Sequence, residues 1–146
     1  MIDFIIDRTQ ADVDRVNTLS AKGWHNMTPE EQAEWAAGMK GAYNYTDLNR
    51  VETACAELAE KFGLTLITKT DWTVWDIPIQ ADMDRILGNI KAVREVGSVY
   101  AGTSDVPRSV NKLTYTAAND IEKNLLDILI LEPTLFRSGE LYCGEI

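Results

Sequence analysis

Residues 10–16 read QADVDRV, and residues 80–86 read QADMDRI. Five of the seven positions are identical, and the other two are apolar in both copies. The blocks lie 70 positions apart, and a second pair keeps that offset without a gap. Tyr45-Thr46-Asp47-Leu48-Asn49-Arg50-Val51-Glu52 falls on Tyr115-Thr116-Ala117-Ala118-Asn119-Asp120-Ile121-Glu122, with Tyr, Thr, Asn and Glu retained. Each block opens a helix. Common capping chemistry would explain a threonine there, but not the tyrosine before it or the asparagine and glutamate after it. The pattern reads as an internal duplication.

A two-helix unit cannot bury its apolar face alone, so two copies are expected to shield one another. The expected fold is mainly α: a pseudo-twofold bundle of about five helices, with at most two or three short strands. One domain spans 1–146, with repeat copies at about 9–62 and 79–132 and a tail at 133–146.

Local signals place the helices. The first runs 10–22, between Thr9 as N-cap and Gly23 as stop. Thr28-Pro29-Glu30-Glu31 is a capping box with proline at the first helical position. The helix it opens ends near Gly38 or Gly41, with Trp35 and Met39 as anchors. In the third, Leu48, Val51, Cys55, Leu58 and Phe62 recur at steps of three and four before Gly63, the spacing of one buried face. The stretch LTLITKTDWTVWDIP (64–78) reads as a short strand plus a packed loop. A fourth helix covers 80–96 and ends at Gly97. Residues 99–113 form a linker, and a fifth helix at 117–131 stops or kinks at Pro133.

The repeated charges suggest specific contacts. Arg15 and Arg85 flank apolar positions in one repeated helix, and Glu52 and Glu122 edge the apolar face of the other. Pairs Arg15–Glu52 and Arg85–Glu122 are expected, acting on helix register more than on stability. A charged binding site is the alternative reading of the same four residues.

Divergence between the copies carries more information. Ala56, Glu60 and Lys61 correspond to Leu126, Ile130 and Leu131, so the fifth helix is apolar on faces its sister keeps polar. Other parts of the chain cover Leu126, Ile130 and Leu131, or a partner does.

Chemistry-bearing patterns are scarce. His25 has no Cys or carboxylate at ligand spacing, which argues against zinc. No phosphate loop, nucleophile motif or calcium loop occurs. Asp12, Asp14, Asp82 and Asp84 sit in first helical turns, where negative charge suits the helix dipole. Cys55 and Cys143 are too few and too far apart for a disulfide framework. No cofactor, no metal and no enzymatic activity are expected.

The chain carries 23 acidic and 14 basic residues, a net charge of -9 that repels nucleic acid and anionic membrane. With 45% hydrophobic residues it can still form a true core. MIDFIIDRTQ lacks the features of a signal peptide, and no run approaches a bilayer span, so synthesis and folding in a reducing cytoplasm is the expectation.

Several stretches together, DRTQADVDRV, AKGWHNMTPEEQAEW, KGAYNYTDLNRVE, KTDWTVWDIP, LTYTAANDIEK and SGELYCGE, resemble a family of small helical proteins from phages and prophages of gut Firmicutes. Its members commonly lie near tail or baseplate structural proteins. The resemblance spans about residues 7–145 and implies a setting rather than a mechanism: a virion component, made in a bacterial cytoplasm and working through protein–protein contacts. The partners would then be virion proteins or further copies of the chain. Two positions depart from the family, Ile79 in place of a capping Thr and Cys143 in place of a small polar residue.

Two other functions fit the residues. An acidic inhibitor would present one contiguous carboxylate face to a basic protein. A glycan-binding module would need two of Trp24, Trp35, Trp72 and Trp75 exposed side by side, with Tyr43 and Tyr45 as further candidate platform residues.

Overall fold

The computed structural model describes the backbone of residues 2–110 and 112–145, and side chains as far as Glu132. Five α-helices are present among them: α1 (Gln10–Lys22), α2 (Pro29–Ala36), α3 (Tyr45–Phe62), α4 (Gln80–Val96) and α5 (Tyr115–Glu145). A 3-10 turn, Trp24–Asn26, joins α1 to α2.

Capping chemistry sets most of the helix starts. Thr9 donates its amide to Asp12 at 2.8 Å, and Thr28 donates to Glu31 at 2.9 Å. Asn44 gives its amide to Asp47 and accepts from the Thr46 amide, opening α3. At α4 the cap residue is Ile79, which has no side-chain acceptor, so only the return bond from its amide to Asp82 forms, at 2.9 Å. A hydrogen bond from the Lys22 ammonium, then one from the Thr28 amide, holds the Glu31 carboxyl down to about 2.

The core lies among α3, α4 and α5. Val51, Leu58, Ile90, Val93, Leu125 and Ile128 are fully enclosed there, together with Trp72, Val106 and Val110 from the connections. Burial also pushes the Cys55 thiol up to about 12, leaving it an inert packing group. Gly97 is where α4 leaves this core. A Cβ on it would sit 2.6 Å from Ile128 Cγ2, closer than carbon atoms approach.

α1 packs elsewhere. Its Leu19 joins Met27 and Met39 in a second, smaller cluster, and ion pairs Arg15–Glu34 and Lys22–Glu31 tie it to α2. A Cβ on Gly41 would meet the Asp12 carbonyl oxygen at 2.2 Å, so this glycine lets the start of α1 lie against the backbone before α3. The two repeated helices therefore have unlike surroundings: α4 packs against both α3 and α5, whereas α1 packs on the 3-10 turn.

Three further expectations change. No strand forms among the described residues; residues 64–72 have no regular secondary structure, and side chains of α3 and α4 bond their backbone in place of a neighbouring strand. Trp35 is 37% exposed and does not anchor α2, a role that Met39 fills. α5 does not stop at Pro133 and no separate tail follows, since the helix continues to Glu145. A proline's φ is helical and its ring removes a single amide, which bends a well-anchored helix more readily than it ends one. The side chain of Cys143 lies outside the described residues.

Candidate functional site

Of the four repeated charges, none pairs as expected. Arg15 meets Glu34 at 2.9 Å on the exposed face of α1, not Glu52, because α1 stands apart from the main core. Arg85 grips Glu52 across α3 and α4 instead of reaching Glu122. Glu122 is held by two arginines that were not candidates: Arg8 at 2.6 Å and Arg50 at 2.5 Å. Asp47 joins the same cluster by accepting from Arg8 and Arg50.

What the repeated residues do is receive extended chain. Asn49 accepts from the Trp72 amide at 2.7 Å and donates to the Trp72 carbonyl at 2.9 Å. Asn119 accepts from the Arg8 amide at 3.1 Å and donates to the Arg8 carbonyl at 3.0 Å. One helical turn on, Glu52 accepts from the Lys69 amide and from the Trp72 indole. Glu122 likewise accepts from the Ile5 amide and from the Arg8 guanidinium. Each helix thus straps down a segment with one Asn and one Glu: 64–72 on α3, and 2–8 on α5. Both straps end in a matching turn. Thr9 donates its amide and hydroxyl to Asp12 at 2.8 and 3.1 Å, and Thr73 donates to Asp76 at the same distances.

A signal for this exists in the chain. Asp7-Arg8-Thr9 and Asp71-Trp72-Thr73, followed by Asp12 and Asp76, recur at an offset of 64 rather than 70. The six-residue discrepancy hides them from a gapless comparison. If the straps are held as drawn, Asn49→Ala and Asn119→Ala will each cost about 1–3 kcal/mol in urea unfolding, since each strands two backbone groups. Equal stability to the parent in either variant would show that strap to be a passive neighbour.

The ion cluster closes on itself. Arg8 and Arg50 carry two positive charges, Asp47 and Glu122 two negative ones, and Arg8 also lies over the Tyr43 ring at 5.5 Å. Burial works against the charge on Arg50, but the hydrogen bonds it donates to Glu122 and Asp47 outweigh that and raise its pKa. Among the described residues the one buried side-chain polar atom without a partner is Arg8 Nε. This arrangement locks backbone in place; its carboxylates are already occupied.

The six residues that separate the two offsets lie at 74–79, between the Thr73 turn and α4, and their large apolar side chains are exposed. Val74, Trp75, Ile77 and Ile79 are 68%, 87%, 85% and 63% exposed. Cavities of about 270 and 380 Å³ flank Val74, one lined by Trp35, Met39 and Tyr45, the other by Tyr43, Leu48 and Met83. Sequence reading missed this surface because an apolar run beside a proline looks like buried loop.

The face expected to dock on α5 is less open. Leu126 and Leu131 are half-buried, and Ile130 is 47% exposed. α5 also buries polar groups that its sequence disguises as apolar. Asp127 accepts from the Tyr100 amide, Thr103 and Lys123, while Asn124 donates to the Ser104 carbonyl, fastening the 98–106 connection. Trp24 and Trp75 are exposed, whereas Trp72 is buried at 5%. No group of His, Cys, Asp or Glu able to hold a metal occurs among the described residues, and none of their helices is long and apolar enough to cross a membrane. No family model, curated protein or solved structure matches the chain.

Proposed function

We propose that this chain is a non-enzymatic protein-interaction module that docks through the turn at 74–79. The observation carrying this reading is the run of four large apolar side chains left open there. Surface apolar residues usually occur singly, and a contiguous group beside a groove marks an interaction site far more often than chance exposure. The occupied ion cluster supports the non-enzymatic part: its charged groups hold straps.

The setting we propose is a phage or prophage particle, at its tail or baseplate, with the protein made in the bacterial cytoplasm and assembled afterwards. The resemblance of the DRTQADVDRV and AYNYTDLNRVE stretches supports this. The proposal also takes the chain to be a duplicated unit. Matching Asn–Glu strap contacts support that reading, as does the bond from Gln10 to Asp14, repeated from Gln80 to Asp84. On this view the second copy gained the docking turn where the first runs straight from strap to helix.

Particles purified from the encoding strain are expected to contain the chain, identified by mass spectrometry. The double variant Trp75→Ala with Ile77→Ala should keep its stability to within about 0.5 kcal/mol, because both side chains are already in water. It should nevertheless fail to enter particles. Particles that lack the protein would remove the setting, and particles that take up the variant normally would remove the docking role of the turn.

A further inference from the structure

The turn's surroundings select a partner. Asp76 lies between Trp75 and Ile77, Asp82 and Asp84 follow Ile79 at the start of α4, and among the described residues none of these three carboxylates forms an ion pair. Their hydrogen bonds go to Thr73, to the Ile79 amide and to Gln80, which are all neutral donors. Two cations near the turn are already engaged. Lys69 pairs with Asp71 at 2.9 Å, and Arg85 is held by Glu52. The apolar turn therefore sits in a negative field on a chain whose net charge is already -9.

Three occupants could cover such a surface, and charge separates them. A second copy would bring its own Asp76, Asp82 and Asp84 against these, and like charges across an interface are unfavourable. An anionic membrane is repelled for the same reason. A basic protein segment gains on both counts, through apolar burial in the grooves beside Val74 and through Asp76, which lines one of them, with Asp82 and Asp84 following in the chain. We infer that the partner of this turn is a protein segment in which large apolar side chains are interspersed with Lys or Arg. The inference rests on the docking role proposed above and adds the chemistry of the occupant.

Three labelled synthetic peptides of equal length test it against the full chain by fluorescence anisotropy: one of Leu and Lys, one of Leu and Glu, one of Ser and Lys. Only the Leu–Lys peptide is expected to bind, and more weakly by about tenfold when salt is raised well above physiological strength. Trp75→Ala should weaken that binding by about tenfold or more, as loss of a central aromatic anchor does. Asp84→Asn should weaken it by a few-fold, with about the same change disappearing at high salt. Equal binding of the Leu–Glu peptide would overturn the basic partner while leaving an apolar docking site in place. Leu–Lys binding that survives Trp75→Ala, or that the Ser–Lys peptide reproduces, would place the contact away from the turn and overturn the inference. Self-association at high protein concentration that Trp75→Ala abolishes would overturn it in favour of a second copy.

Discussion

Replacing Glu122 by alanine is expected to cost about 3–5 kcal/mol, the largest effect of any single substitution outside the apolar core. The carboxylate is fully buried, and it answers Arg8, which is itself only 2% exposed, together with Arg50 and the Ile5 amide. Its removal leaves two guanidiniums facing Asp47 alone and one strap amide without an acceptor. Arg8, part of the strap itself, cannot swing to water without pulling residues 2–8 off α5. Urea unfolding is the measurement, with Arg8→Met as the companion variant. Removing the cation together with the anion should recover a good part of the loss, because an apolar pair costs no charge desolvation. A Glu122→Ala protein as stable as the parent would mean that Arg8 and Arg50 find water in solution.

Glu52→Ala comes next, at about 2–4 kcal/mol. The sister carboxylate answers Arg85, the Trp72 indole and the Lys69 amide. Arg85 is 22% exposed on its side chain and can turn outward, which makes the residual penalty smaller than at Glu122. The indole has no such freedom. Trp72 is 5% exposed, so its emission should shift to longer wavelength as the strap over α3 loosens, well before global unfolding. Replacing Trp24, Trp35 and Trp75 by phenylalanine isolates that signal. Unchanged emission would mean that apolar packing alone seats Trp72.

Helices whose ends are set by neighbours a few residues away were legible. Thr9, Thr28, Gly23 and Gly63 act on the backbone beside them: α1 keeps its expected bounds, α2 begins at Pro29 although it ends at Ala36, short of both Gly38 and Gly41, and α3 ends at Phe62. The buried stripe of Leu48, Val51, Cys55 and Leu58 was equally plain, since it is periodic. Contacts chosen by packing were not. Whether Arg85 meets Glu52 or Glu122 depends on where α4 lies, and no local rule gives that. Arg15 shows the same limit from the other side: its sequence context copies that of Arg85, yet its helix sits in a different cluster. The straps were hidden for another reason. Residues 64–72 alternate like a strand, but side chains of Asn49, Glu52, Arg85 and Asn89 bond their backbone at Ile67, Lys69 and Trp72, a pairing that leaves no periodic mark. The docking turn was hidden because Val74, Trp75 and Ile77 have the composition of core, and composition carries no direction.

The two straps also differ in when they can close. Trp72 reaches back 23 positions to Asn49, so α3 can catch its strap while the chain is still leaving the ribosome. Ile5 must wait 117 positions for Glu122, and Arg8 waits 111 for Asn119. Distant closures carry the larger entropic toll and come late. Ile2 and Phe4, on the strap that waits for α5, therefore reach their place against the core only after α5 has been synthesised, and the 2–8 strap closes after the 64–72 strap.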